Sequence, residues 1–446
     1  MEKSLDILIE QVLNKENFCE KTKRQAEWVI ADTVLTTIYG VNTEEELKRY
    51  IKSKEEERFS NEQIPIIGAN TSLDIKDSLI IHGTAVVSNE LDEGNTFAKG
   101  HPSAHVFPTL FTTAWQNNAD VETVIEAYIK AYEISSRIAG AAKMHDKMHP
   151  HGTWGNVGGA IAKAIIEQKT NKEIKQIILL TLSLPLATSW LAAQEGQIVR
   201  NLYTGLGSFL AYEAVNLSNY GFTSNHSVVR SIWGDILGND FEEEKLTYLL
   251  LNPPMIQKNY MKIHPACRFT HASIDAARIL REQITFPLDE ISEITVDTYN
   301  LAARCDVQIP KNKLQAKFSI PYTVACTLLG KNLFANYKDN LCSAGELAKK
   351  IKVINVQEYT DMLPEKRAAN VTIKNKDGRS INQLIENAKG EFLNPFSEES
   401  LWYKYEDMLL DYYSKSWINN LKENLINMRA YKSFTEWVSI NQLMEG

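Results

Sequence analysis

Between Val121 and Ile134 the apolar residues recur at near-helical spacing. Val121, Val124, Ile125, Tyr128, Ala131, Tyr132 and Ile134 share one side, and Glu122, Glu126, Lys130 and Glu133 take the other. That periodicity predicts an amphipathic helix. Similar runs cover Gly158–Gln168, with Ala160, Ala162 and Ala164, and residues 202–217, with Gly205, Gly207 and Ala211. Small residues at these positions suit close helix-on-helix packing. The pattern changes after Pro253-Pro254. From about residue 288, β-branched residues alternate in ISEITVDTY, again over Ile351–Val356, and again over Asn370–Ile373 ahead of the turn dipeptide Asp377-Gly378. Helical stretches at Thr270–Arg281 and Pro321–Leu329 are interleaved with these strands. After Asn394-Pro395 the helical pattern returns, through Leu401, Tyr405, Met408 and Leu409 and then Trp417, Leu421 and Leu425.

The expected fold is therefore mainly α with an α+β part. Residues 1–257 form a helical domain, 258–395 an α+β block, and 396–446 return to the helical domain. A length of 446 residues fits more than one domain. The hydrophobic fraction of 44% and charged fraction of 23% exclude disordered, collagenous and coiled-coil classes. The formal net charge of −8 lacks the footprint of a nucleic-acid or anionic-membrane binder, but leaves room for a small anionic substrate in a local basic pocket. Ile177–Ala193 runs seventeen residues without a charge. It is shorter than the ~20 apolar residues of a membrane span and contains Pro185, so it reads as a buried helix. MEKSLDILIEQVLNKE has no apolar core of a signal peptide, and the expected compartment is the cytoplasm. The five cysteines form no CxxC pair, and the nearest two are sixteen apart, which argues for reduced thiols and against an iron–sulfur cluster.

Seven of the nine histidines fall in three short windows. In NELDEGNTFAKGHPSAHVFPTL, Asp92 and Glu93 precede a loop between Gly94 and Gly100 that carries Thr96 and Lys99, followed by His101 and His105. An imidazole near neutral pKa can take a proton from a carbon beside a carboxylate, and an adjacent acid can hold its tautomer. In KMHDKMHPHGTWGNVGGAIAKA, His145, His149 and His151 lead through a glycine-rich turn into a helix whose N-terminus suits an anion. Their spacing matches no standard zinc pattern. In NYMKIHPACRFTHASIDAARIL, Lys262, His264, Arg268 and His271 gather cations within ten residues, and Cys267 reads as a buried thiol. Arg200 precedes Gly205 in IVRNLYTG, and Tyr322 follows Pro321 in KFSIPYTVA. There is no phosphate loop, dinucleotide fingerprint or nucleophile elbow. The inventory suits acid–base chemistry on a small polycarboxylate without an organic cofactor.

Taken in order, ELDEGNTFAKGHPSAHVFP, MHPHGTWGNVGGA, KIHPACRFTHASID and FSIPYTVA resemble the MmgE/PrpD family, with the late GEFLNPFSEESLWYKY extending the likeness over nearly the whole chain. The resemblance implies a large helical domain, a smaller α+β lid domain, a homodimer, and no metal or iron–sulfur cluster. It places the family's acidic pair on Asp92 and Glu93 and its histidines on His101, His149 and His271. Its basic residues fall on Arg200 and Lys262 and its tyrosine on Tyr322. Glu93 stands where Asp is usual, Arg200 where one branch has lysine, and Tyr203 where that branch has histidine; these departures weigh against cis-aconitate decarboxylation. The activity implied first is a hydro-lyase acting on a hydroxylated tricarboxylate such as 2-methylcitrate, as in propionate metabolism. Under it, His101 with Asp92 is the base and His271 or Tyr322 the acid. His149 completes the catalytic set, and Thr96, Lys99, Arg200, Lys262 and Arg268 bind substrate. A dicarboxylate epimerase such as an iminodisuccinate epimerase, a cis-aconitate decarboxylase, and a non-catalytic carboxylate-binding protein are the competing readings.

Overall fold

The computed structural model describes residues 2–57 and 63–443. Helix makes up 57% of the chain and the sheets are small, so the fold is mainly α with an α+β part. The chain divides into two compact units. The first comprises Met1–Trp190, Val199–Tyr260 and Glu399–Gly446; the second comprises Leu191–Ile198 and Met261–Glu398.

In the first unit, helix Gly155–Ile166 is central, packing against helices Pro102–Gln116, Val121–Ala141, Asn171–Leu182 and Val199–Ser218. Its small residues permit this: a Cβ on Gly158 would meet Val106 and Ser135, and one on Gly159 would meet Thr109 and Ala211. Helix Val121–Ala141 buries the apolar side that its periodicity marks, and Asp120 caps it by accepting from the Thr123 N–H at 2.8 Å. Helices Ile75–Ser88 and Val199–Ser218 touch backbone to backbone, since a Cβ on Gly83 would lie 2.8 Å from Gly205 Cα. A Gly205→Ala variant drives a methyl into the Ile80 carbonyl and is expected to lose about 1–3 kcal/mol, read as a lowered denaturant midpoint at unchanged slope.

The uncharged run Ile177–Ala193 is not one helix. Helix Asn171–Leu182 stops at Ser183, and a new short helix begins only at Trp190. Pro185 removes a backbone donor and forces Leu184 away from helical geometry. Among the described residues, no helix is long and apolar enough to cross a membrane. Leu191–Ile198, expected within the helical part, belongs instead to the second unit. There the Asn312 and Gln315 side chains donate to the Glu195 and Gln194 carbonyls at 3.1 and 2.9 Å.

The second unit holds a four-stranded sheet of β1 (Ile291–Thr298), β2 (Ile351–Asn355), β3 (Ala369–Asn375) and β4 (Ser380–Ile385), in the order β4-β3-β1-β2. β1 runs parallel to β2, with Val296 opposite Val353, and antiparallel to β3, with Val296 opposite Val371. Ile291, Ile294 and Val296 share one core with Ala276 and Leu280 of helix His271–Gln283 and Val324 of helix Ile320–Leu328. Asp377-Gly378 makes the β3–β4 turn, with Gly378 at φ +85°. β4 is absent from the hydropathy pattern because it is a half-exposed edge strand, SINQLI, with one neighbour.

Candidate active site

The first unit positions its polar groups on the segment after helix Ile75–Ser88. Glu90 takes a left-handed backbone (φ 54°) that turns the chain, and the buried Lys404 ammonium holds the Leu91 carbonyl at 3.0 Å. Asn95 closes the next turn, accepting from the N–H groups of Phe97 and Ala98 at 3.0 and 3.1 Å. Gly94 pairs with Tyr260, whose ring fills the space a Cβ would take. The chain then enters helix Pro102–Gln116, with His101 at the N-cap and Pro102 at its first position.

His101 Nδ1 lies 2.8 Å from Asp92 Oδ2 and 2.8 Å from the Glu93 carbonyl. Both partners only accept, so Nδ1 carries the hydrogen and the neutral ring's lone pair is on Nε2. The aromatic neighbours fix the plane. His101 stacks on His151 (centroids 5.3 Å apart), His151 on His149 (4.6 Å), and His149 on Trp190 (5.2 Å), while Tyr260 meets His101 edge-on at 6.3 Å. His105 joins this column through its Nε2, 3.4 Å from His151 Nδ1.

Three of the imidazoles, His105, His149 and His151, are buried. Burial holds His105 down to about 3. Burial, then the Arg200 charge, holds His149 and His151 well below the usual histidine range. These three are neutral spacers. His101 alone of the column keeps its side chain 12% exposed, so it is the imidazole able to meet a ligand.

Adjacent carboxyls also diverge. Asp92 faces His101, whereas Glu93 receives the Tyr132 hydroxyl and the Ser103 N–H. Burial outweighs those two hydrogen bonds and pushes Glu93 up to about 8, so at neutral pH it is a carboxylic acid. Its folded value lies above the usual 4.5, so its contribution to stability is full below 4.5 and is lost as the pH rises through 8. From pH 6 to 9 the protein is expected to lose roughly 3 kcal/mol through this group. A Glu93→Gln variant should flatten that part of the stability–pH curve, followed by denaturant unfolding.

Arg200 is buried and paired with Glu90. Its Nη1 donates to the Val87 carbonyl at 2.9 Å and to Asn201 Oδ1 at 3.1 Å, and its Nε lies 3.4 Å from His149 Nε2. Thr96 is buried in the loop of the Asp92 segment. Lys99 departs from the expected grouping. It is exposed, with a left-handed backbone (φ 56°), and its ammonium lies 3.5 Å from the Ala142 carbonyl, in the field of Lys143, Glu242 and Lys245.

The second unit carries the other cluster at the entry to helix His271–Gln283. Lys262, Arg268 and His271 are buried. Arg268 Nε donates to Glu391 Oε1 at 3.0 Å, and its Nη1 donates to His271 Nδ1 at 3.1 Å. His271 Nε2 lies 3.0 Å from the Ala266 carbonyl and therefore bears the hydrogen. Burial, then Arg268, His264 and Lys262, hold His271 well below the usual range. His264 Nε2 meets Asp275 Oδ1 at 3.0 Å. Tyr322 belongs to the core of the same unit. Its ring is in the apolar core, its hydroxyl is 3.5 Å from the Tyr337 carbonyl, and burial followed by Cys326 raises its pKa.

Glu90, Tyr132, Trp190, Tyr260 and Lys404 all support the site, and none stands out in the sequence as a site residue. Their role comes from partners distant along the chain. Only the glycine punctuation around Glu90 and the late LWYKY motif containing Lys404 give any signal. Among the described residues, no group of three or more His, Cys, Asp or Glu is placed to hold a metal ion.

A helical unit with a carboxylate-held imidazole and an α+β unit with buried cations define a two-unit protein equipped for acid–base chemistry. Residues 12–239 match the MmgE/PrpD N-terminal domain and residues 264–425 the MmgE/PrpD C-terminal domain, so the chain belongs to the MmgE/PrpD family. Members of that family are generally dehydratases and related lyases. A comparison with curated proteins finds no match.

Proposed function

We propose that the protein is a lyase that removes water from a hydroxylated tricarboxylate, with 2-methylcitrate as the model substrate, without an organic cofactor or metal. The observation that carries this reading is the His101 geometry. The Glu93 carbonyl accepts Nδ1–H, with Asp92 Oδ2 2.8 Å from the same nitrogen, leaving the Nε2 lone pair on the one partly exposed ring of the column. That lone pair takes the proton next to a substrate carboxylate. The resulting aci-carboxylate is stabilised by fixed cations, for which Lys262 and Arg268 are the candidates. Arg200, already paired with Glu90, acts mainly by keeping His149 neutral. The electron pair of the broken C–H bond forms the C=C bond as the C–O bond breaks, and the hydroxide leaves as water once protonated. The same reading expects a cytoplasmic homodimer, whose mass in light scattering would be twice 50.6 kDa.

The test is a substrate panel of 2-methylcitrate, citrate, cis-aconitate and amino dicarboxylates, followed by unsaturated-acid absorbance, CO₂ release and solvent deuterium uptake. Growth of absorbance with 2-methylcitrate supports the reading. Deuterium uptake without water loss would make the protein an epimerase or isomerase. CO₂ from cis-aconitate would make it a decarboxylase, and tight binding without turnover a binding protein.

A further inference from the structure

Helix Val121–Ala141 buries an ion pair that the elimination chemistry does not use. Arg137 Nε donates to Glu133 Oε1 at 2.5 Å, and both side chains are buried. A buried ion pair adds little net stability by itself; this one organises backbone. Arg137 Nη1 donates to the Tyr248 carbonyl at 2.8 Å and Nη2 to the Leu249 carbonyl at 3.1 Å. In the same stretch Leu249 and Leu251 take left-handed backbone, with φ 48° and 58°. Leucine rarely adopts that conformation, which persists where the surroundings fix it. Glu133 Oε2 accepts the Met255 N–H at 2.5 Å. Residues 246–260, by which the chain leaves the first unit, are therefore fastened to the helix that also carries Tyr132.

Asn95 connects this stretch to the base. Its Nδ2 donates to the Met255 carbonyl at 2.9 Å and lies 3.5 Å from the Tyr132 hydroxyl, which itself donates to Glu93. Its Oδ1 accepts the Phe97 and Ala98 N–H groups, which fixes the orientation of the amide: the oxygen faces donors and the nitrogen a carbonyl. Its backbone exchanges hydrogen bonds with Gly100, its N–H to that carbonyl at 2.8 Å and the reverse at 3.3 Å. Gly100 immediately precedes His101. Asn95 also pairs with Asn259 in the short ladder that sets Tyr260 opposite Gly94, and Tyr260 meets the His101 ring edge-on. One buried amide thus touches both sides of the base: the loop that supplies the Glu93 carbonyl, and the strand that supplies the Tyr260 ring.

We propose that Asn95 is a positioning residue for His101. It ties residues 255–260 to residues 92–101, so that the Glu93 carbonyl and the Tyr260 ring hold the imidazole in one orientation. Its bearing on turnover rests on His101 being the base in the lyase reading above. The Glu133–Arg137 pair is the far anchor of the same connection, since it fixes the Met255 backbone to which Asn95 donates.

The test uses the full-length protein. Asn95→Asp keeps the acceptor for Phe97 and Ala98 and replaces the donor by a second acceptor, which opposes the Met255 carbonyl. On whichever panel substrate the wild type converts, kcat should fall about 10- to 10²-fold with little change in KM. As the pH is lowered, the introduced carboxyl gains a hydrogen for the Met255 carbonyl. The ratio of variant to wild-type kcat should therefore rise from about pH 8 to about pH 5, a response that lost packing would not give. Tyr260→Leu should also lower kcat, and the double variant should lose little more than the worse single, because both act through one segment. Wild-type kcat in Tyr260→Leu would overturn the assignment even if Asn95→Asp failed to fold. A second readout needs no substrate. The His101 Nδ1–H proton resonance, identified by its loss in His101→Asn, should exchange with solvent faster in both single variants than in wild type. Equal exchange rates would overturn the assignment and leave the lyase reading standing. A wild type inert to every panel member, with the exchange rates as expected, would overturn the lyase reading alone.

Discussion

On the proposed lyase reading, turnover of whichever panel substrate the wild type converts is expected to fall about 10³-fold in a His101→Asn variant, with KM changed little and the unfolding midpoint unchanged. Asparagine keeps a side-chain N–H to donate toward the Glu93 carbonyl and Asp92, so the segment stays tied to the helix that Pro102 opens. It has no lone pair able to replace Nε2. None of the neighbouring imidazoles can take over, since burial keeps His105, His149 and His151 neutral and away from ligand. Initial rates on the panel substrate decide the matter. A variant retaining more than a tenth of wild-type kcat would remove His101 from the role of base.

The second large effect is on stability and concerns the return of the chain to its first unit. Lys404 and Asp32 are both fully buried, with Nζ 2.6 Å from Oδ1, and Tyr405 donates to the same oxygen at 2.7 Å. A Lys404→Met variant leaves the Asp32 carboxylate buried without its cation and is expected to cost about 3–5 kcal/mol in denaturant unfolding. The double variant Asp32→Leu/Lys404→Met removes the stranded charge as well and should recover most of that loss. Because Lys404 also holds the Leu91 carbonyl beside Asp92, the single variant should lower kcat at temperatures where it is still folded. A single variant of wild-type stability would mean that the pair contributes little.

Much of this architecture is legible in the residue pattern. Helix Val121–Ala141 shows itself by periodicity and by the Asp120 cap, and β1 by the alternation of Ile291, Ile294 and Val296. Local pattern fails where another force decides. Ile177–Ala193 looks like one apolar helix, yet Pro185 breaks it. β4 is polar because, as the end strand of the described sheet, it keeps its side chains half exposed. Within the site, the histidine windows identify which residue types gather but not which nitrogen of each ring is occupied. That depends on acceptors such as Asp275 for His264 and the Ala266 carbonyl for His271. Likewise Arg200 reads as a free cation until Glu90 is seen against it. Lys99 shows the reverse, a cation inside a site motif whose ammonium points elsewhere.

The Asp32–Lys404 contact joins residues 372 positions apart, whereas the second unit is nearly continuous from Met261 to Glu398. During synthesis, the α+β unit therefore has almost all of its sequence before the helical unit has its last helices. Until Lys404 leaves the ribosome, Asp32 has no cation and the Leu91 carbonyl has no ammonium beside it. Domains generally fold as units in the order they are made; here the unit that begins first is finished last. A chain cut off before residue 404 would lack the ammonium that neutralises Asp32 and holds the Leu91 carbonyl beside Asp92, so the segment carrying His101 is braced only after residue 404 has been made.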